Sequence, residues 1–226
     1  MEMKRLLITL LKYKLFGPLS FLRFAYYNFI KIARSSSGCF FIPSRYAALD
    51  VSKTAKVYLG HSVLFGWCNM KNSKLETALY MAEGSSLELG GADSNSMELI
   101  GYGSYIQVGK NAKLKIGNSF INREVKIICN KDISIGDGCV IAMGAVIRDN
   151  DGGNHQILSD GYLNRKPIII GDHVWVGENS MILKGVKVGE GSVIAASSLV
   201  TKDVPPHCMV AGVPARIVRE NIKWEK

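Results

Sequence analysis

The run Asp149-Asn150-Asp151-Gly152-Gly153-Asn154-His155 puts an imidazole a few residues after two carboxylates. Imidazole titrates near neutral pH, so it is the natural side chain to take a proton from a hydroxyl. A nearby carboxylate can fix which ring nitrogen carries the proton, and Asp149 and Asp151 are both placed to do so. The bland alternative for His155 is a solvated loop histidine. The other histidines are His61, His173 and His207. A zinc site built from imidazoles needs three to converge, and these four include no close pair. No metal is therefore expected. His61 and His207 carry no chemical context. His173 falls at an outward position of a repeat and reads as a surface or stacking residue. The five cysteines are an odd number without paired spacing, which suggests reduced thiols, with Cys139 in the core.

The element that must hold this loop is written in sixes. Ile170, Val176, Ile182, Val188, Ile194 and Val200 begin successive blocks, and Val174, Ser180, Val186, Ser192, Ser198 and Val204 are the small fifth residues. Neither the helical period of about 3.6 nor the strand period of about 2 gives a strict six. A hexapeptide period is that of a parallel β-helix, in which three blocks close one triangular coil. Ile170 should therefore stack on Val188, Val176 on Ile194, and Ile182 on Val200. The frame also runs through Ile135, Ile141 and Ile147, stops over residues 149–167, and resumes at Ile170 with about 17 residues looped out. An insertion that leaves the frame intact is a place to look for function, and this one carries His155. Weaker sixes begin at Val51, Val57 and Val63, giving about seven or eight coils. The seven-residue step from Ile128 to Ile135 implies one bulged residue. Pro205-Pro206 should end the frame, because proline donates no ladder hydrogen bond.

The motifs Gly171-Asp172-His173-Val174-Trp175-Val176-Gly177, Val200-Thr201-Lys202-Asp203-Val204-Pro205-Pro206 and Ala211-Gly212-Val213-Pro214-Ala215-Arg216 resemble the left-handed β-helix acyltransferases, or hexapeptide-repeat transferases. The resemblance covers roughly the C-terminal 90 residues and is nearest to the galactoside, maltose and capsular-polysaccharide O-acetyltransferases. It implies an all-β fold: a left-handed parallel β-helix with an N-terminal helical segment and a short C-terminal helix. It implies acetyl transfer from acetyl-CoA to a sugar hydroxyl, in capsule, lipopolysaccharide or exopolysaccharide synthesis, by direct attack without a covalent enzyme intermediate. His155 is then the base. Its Gly-Gly-Asn-His setting looks more like the xenobiotic acetyltransferases, so that acceptor class stays open, as does N-acetyl transfer to an amino sugar. Asn122 matches a residue that binds acceptor hydroxyls, or is a polar ladder residue. Trp175 matches a substrate-side tryptophan, or stacks on the prism wall. Glu178, Ala196, Thr201, Lys202, Arg216 and Arg219 match cofactor-contacting positions, Glu178 in place of a small polar residue. The family implies a homotrimer with its sites between subunits.

A formal charge of +9 over 226 residues suits an anionic partner. No zinc-finger spacing or RNA-binding aromatic signature is present, so nucleic acid is not expected. Residues 1–34 mix Leu, Phe and Tyr with Lys and Arg around Gly17-Pro18. They read either as a helical cap on the prism or as an interfacial membrane segment. No apolar run reaches the ~18 residues that span a bilayer. The expected organisation is residues 1–38 as cap or membrane segment, 39–206 as β-helix with its 149–167 insertion, and 207–226 as tail. The expected location is cytoplasmic, with peripheral contact at the inner membrane through residues 1–34 as the second reading of that segment.

Overall fold

A computed structural model describes residues 22, 24–28, 39–67, 74–90, 98–152 and 155–225. Short parallel strands fall into three sheets, and the chain visits them in strict rotation. Sheet A runs from Phe41–Pro43 to Met209–Gly212, sheet B from Ala47–Val51 to Leu199–Val200, and sheet C from Lys56–Leu59 to Lys187–Val188. Sheet B counts seven rungs, as the repeat implies. The outer faces differ in chemistry. Sheet C carries Tyr58, Glu88, Lys115 and Lys187 outward, all exposed.

The repeat frame sets the core. Ile170 pairs with Val188, Val176 with Ile194 and Ile182 with Val200, each pair in one parallel register. All six are buried. Upstream, Ile135, Ile141 and Ile147 pair with Ile170, Val176 and Ile182, so the prism resumes in register after the insertion. Aliphatic columns of this kind form one continuous core along the axis. Its stability is closer to a sum over rungs than to a single cooperative nucleus.

Three expectations need correction. The inward residue is Ile127, paired with Ile106 and Ile147, while Ile128 points outward. The extra residues therefore sit in the corner at Asn130 and Lys131, not in a strand bulge. The coil does not end at Pro206, because Met209–Gly212 adds a further parallel strand against Val193 and Ile194. Both prolines lie in a corner, where no ladder donor is required. No C-terminal helix forms. Ala215–Arg219 returns antiparallel on Met209–Gly212 after the Val213-Pro214 turn, and its Ile217 and Val218 suit an extended chain.

Most of residues 1–34, where the cap or membrane segment is expected, lies outside the described residues. Residues 24–28 make a helical turn at the first strand. Phe24 packs on Ile42 and Leu64. The buried Asn28 side chain accepts from the Phe41 N–H at 2.8 Å and donates to the Phe41 carbonyl at 2.7 Å. One amide thus takes the place of a neighbouring strand at the edge that a sheet must protect. No helix among the described residues is long and apolar enough to cross a membrane.

Candidate functional site

The site grows out of the corner between sheets B and C. Ile147 ends the regular frame there, and the inserted loop leaves and returns as a narrow hairpin. Lys166 N–H donates to the Asp149 carbonyl at 2.9 Å, Asn150 bridges Arg165, and Asp151 N–H donates to the Asn164 carbonyl at 3.2 Å. Further out, the Asn164 side chain accepts from Ile157 N–H and donates to the Ile157 carbonyl, at 2.9 and 3.0 Å. A strut joins this hairpin to the prism. Lys184 donates to the Asp151 carboxylate, to the Tyr162 hydroxyl at 2.8 Å and to the Leu163 carbonyl at 2.9 Å. Its ammonium also lies over the Tyr162 ring, 4.0 Å from the centroid. Desolvation works against the Lys184 charge, but the hydrogen bonds to Asp151 and Tyr162 outweigh it and hold the ammonium above the usual lysine range.

The loop presents His155, exposed, beside a small pocket shared with Asn130, Asn150, Asp151, Gly152, Gln156, Asn164 and Arg165. The two carboxylates assigned to orient His155 are engaged elsewhere. Asp149 is buried and accepts from the backbone N–H groups of Asn130 and Lys131, at 2.7 and 2.6 Å. It also accepts from the Asn150 amide at 3.0 Å. Asp151 serves Lys184. Among the described residues neither carboxylate hydrogen-bonds to His155, so both act on the loop rather than on the ring. Arg148 is a second support. It donates to the Asn150 carbonyl and side-chain oxygen at 3.1 and 3.4 Å. Gly152, at φ +89°, lies so close to that guanidinium that a Cβ would strike it.

The remaining sequence candidates divide between two corners. Asn122 sits at the A/B corner, where its side-chain oxygen accepts from Arg123 N–H at 2.7 Å. In the same corner Arg123, Met143, Glu178 and Ala196 occupy equivalent places on successive rungs. Thr201 and Lys202 lie exposed at the B/C corner, two rungs beyond the loop base. Arg216 and Arg219 are exposed on the returning terminal strand. Sheet B thus separates Asn122, Glu178 and Ala196 on one corner from His155, Thr201 and Lys202 on the other. Its outer face between them is apolar over Val146, Met181 and Leu199, paired in one column.

Trp175 lies elsewhere, on the outer face of sheet A, with its ring 5.9 Å from Trp224. His173 stacks on Trp224 at 4.0 Å and 5°. Its Nε2 lies 2.8 Å from the Trp224 carbonyl, and the Trp224 indole N–H donates to the His173 carbonyl at 3.1 Å. These contacts give His173 the stacking role expected of it, and they fasten the tail. Cys129 offers no alternative nucleophile, since burial first and the Asp149 charge second push its thiol far above the usual range. No metal-holding cluster occurs among the described residues. Lys184, Arg148, Asn164 and Arg165 were invisible as site residues in the sequence. Only the Asn-Arg-Lys-Pro run that closes the insertion signals two of them.

A triangular prism built on hexads, with a histidine loop let out of one corner, defines a hexapeptide-repeat transferase. Residues 167–202 match the family model described as bacterial transferase hexapeptide (six repeats), and residues 132–148 that of the hexapeptide repeat of succinyl-transferase. The solved structure of a hexapeptide-repeat-containing acetyltransferase from Vibrio cholerae, complexed with acetyl coenzyme A, is 33% identical. That match covers 62% of this chain and 72% of the other, with a TM-score of 0.50. A polySia-specific acetyltransferase structure is 27% identical over 86% of this chain and 88% of its own, with a TM-score of 0.54. Galactoside O-acetyltransferase of Escherichia coli strain K12 is 37% identical over 120 residues, 53% of this chain and 56% of that protein. The chain belongs to the hexapeptide-repeat acetyltransferase family. It spans about half the length of the curated relatives it matches.

Proposed function

We propose that this protein transfers the acetyl group of acetyl-CoA to a sugar hydroxyl of a glycan under construction, on a left-handed coil, with His155 as general base. The observation that carries the reading is the pinned loop. It holds an accessible imidazole at the edge of sheet B, in a pocket of amide side chains that can donate to and accept from sugar hydroxyls. His155 takes the hydroxyl proton as the oxygen attacks the thioester carbonyl. The carbon–sulfur bond then breaks, and the imidazolium returns the proton to the departing thiolate. Lys202, Arg216 and Arg219 are exposed cations suited to the phosphates of the cosubstrate. Ala196, and the short Thr201 side chain, leave room for its pantetheine arm. Glu178 is the poorest fit of the set, because its carboxylate would repel phosphate and is better placed beside an amide.

The protein works as a homotrimer in this reading. Acceptor-side Asn122 and base His155 lie on opposite corners of sheet B, and the apolar column between them suits contact with another copy. Packing the A/B corner of one copy on the B/C corner of the next brings the two halves of the site together. Residues 1–38 serve as a cap at the first coil and as peripheral contact for a protein working at the cytoplasmic face of the inner membrane.

The test is acetyl-CoA turnover over a panel of glycans and amino sugars. His155→Ala should lower kcat by roughly two to four decades with little change in the acetyl-CoA KM. Arg216→Ala should chiefly raise that KM. Near-normal turnover by His155→Ala would place the base elsewhere, and transfer confined to amines would replace O- by N-acetylation. A monomeric mass in light scattering would remove the shared site.

A further inference from the structure

The charge balance around His155 carries a statement about the acceptor that acetyl transfer alone does not require. Two carboxylates lie at the root of the loop, and both are engaged. Asp149 is buried against two backbone N–H groups, and Asp151 receives the Lys184 ammonium. The loop's other carboxylate, Asp160, lies in the turn at its far end, between Ser159 and Tyr162. Two guanidinium groups are left without an acid. Arg165 lines the His155 pocket, exposed, and no ion pair reaches it among the described residues. Arg148 is half-buried beneath the loop, and its hydrogen bonds go only to the neutral oxygens of Asn150. The rest of the pocket is Gly152, the Asp151 carboxylate and four amides, Asn130, Asn150, Gln156 and Asn164. The amides donate and accept without supplying a counter-charge, and the Asp151 charge is taken by Lys184. Some surface cations elsewhere are paired, as Lys110 is with Glu83 and Lys115 with Glu88; what sets Arg165 apart is its place in the His155 pocket.

We propose that the acceptor is an acidic glycan whose sugar carboxylate is bound by Arg165, with the Arg148 charge behind it, while a hydroxyl of the same chain meets His155. This rests on the acetyl-transfer reading of the site. A guanidinium fork matches a carboxylate with two parallel N–H bonds, a geometry a lysine does not offer. The cosubstrate phosphates are a poor claimant for Arg165. The cations suited to them begin at Lys202, two rungs or roughly 10 Å further along the prism at the usual strand spacing. Substrate steering points the same way, since the chain carries a net +9. Arg165 is a specificity residue here. Arg148 is a positioning residue that also contributes field.

The experiment compares a short sialic acid oligomer, its methyl ester, a neutral galactoside and a sugar phosphate. Each is used in turnover with acetyl-CoA and in calorimetric binding, with wild type, Arg165→Gln and Arg165→Lys. The wild type should use the acid at least about tenfold better than the ester in kcat/KM. Arg165→Gln should erase that ratio through the acceptor KM, leaving the acetyl-CoA KM in place, and Arg165→Lys should recover part of it. Salt should weaken acceptor binding in the wild type more than in Arg165→Gln. Equal use of acid and ester overturns the inference and leaves acetyl transfer standing. A rise in acetyl-CoA KM in Arg165→Gln, with the acceptor unaffected, also overturns it by giving Arg165 to the cosubstrate. Preference for the sugar phosphate overturns the carboxylate assignment. Calorimetric binding of the acid that is lost in Arg165→Gln, without any turnover, supports the anionic site while removing the acetyl-transfer reading. Failure of every acidic probe to bind removes the anionic site itself.

Discussion

The C/A corner and the B/C corner turn the same chain by the same angle, yet they are built on opposite rules. At the C/A corner each rung places a glycine immediately after its inward aliphatic: Gly60, Gly90, Gly117, Gly136, Gly171 and Gly189 lie in one column. A Cβ on Gly136 would come within 2.7 Å of the Gly171 carbonyl carbon and 2.8 Å of Asp172 N. The neighbouring rung is backbone there and cannot give way. At the B/C corner the residues that follow the last inward one are Gly109, Asn130, Arg148, Leu183 and Thr201 among others, and a hairpin leaves between two rungs. Regularity marks the glycine corner, where a groove runs past Gly60, Gly90, Gly117 and Gly136. Broken regularity marks the corner that carries the His155 loop. The corners also carry histidines of different burial: His61 is buried in the first, which also holds the exposed His173 and His207, and His155 is exposed in the second.

The largest effect should come from spoiling the glycine column. Gly136→Ala forces a methyl group into the backbone of the next rung, an overpacking that costs about 3 kcal/mol. In a chain of this size that lowers Tm by roughly 6–12 °C, measured by calorimetry or circular dichroism. A Tm within a degree of wild type would show that the rungs can part there, and that the column reflects repeat ancestry rather than packing.

A smaller effect, of a different kind, should follow at the other corner. Lys184→Met removes a charged donor from Asp151, Tyr162 and Leu163 together. Hydrogen bonds to charged groups contribute about 1.5–3 kcal/mol when buried, and the partial exposure of this set argues for the lower end. The loss should be local: Tm should move little, while limited proteolysis within residues 155–165 speeds up and kcat falls with His155 less well held. If Tm dropped as far as in Gly136→Ala, the loop would be part of the prism's stability, and the division between the corners would fail.

The same contrast decides what the sequence could reveal. A hexad is a local constraint, so the stacking of Ile170 on Val188 follows from spacing alone. Where two aliphatics adjoin, as Ile127 and Ile128 do, spacing cannot say which one faces inward, and the frame slips by one. The terminal strand was hidden because its two arginines, with Lys223 and Lys226 beyond it, suggest a helix, while its extended form depends on an edge already made by Met209–Gly212. The site was legible in part. His155 stands out because it sits in a long break within the strong C-terminal run of the frame. The partners of Asp149 were not legible, because Asn130 and Lys131 become neighbours only after a full turn of the prism. Lys184 lies 33 positions from Asp151 and meets it only once the loop has folded back.

The smallest expected effect is the pH dependence that the buried His61 gives to stability. Burial holds the His61 imidazole below its ordinary range, against an opposing pull from Asp137. The folded state therefore resists a proton that the unfolded chain accepts. Stability is then greatest above the ordinary histidine range and is lost as pH falls through it, because the unfolded state binds more protons. The loss levels off once the folded imidazole is protonated as well. His61→Leu keeps an apolar group beside Gly90, whose Cβ position lies 2.7 Å from Nδ1 of the native ring, and it removes the titration. Its Tm should therefore fall less than that of the wild type between about pH 7.5 and about pH 5. Carboxylates common to both proteins cancel in that difference. Parallel Tm curves for wild type and His61→Leu would mean that the glycine corner does not keep His61 neutral, and that the two corners differ in packing but not in their treatment of charge.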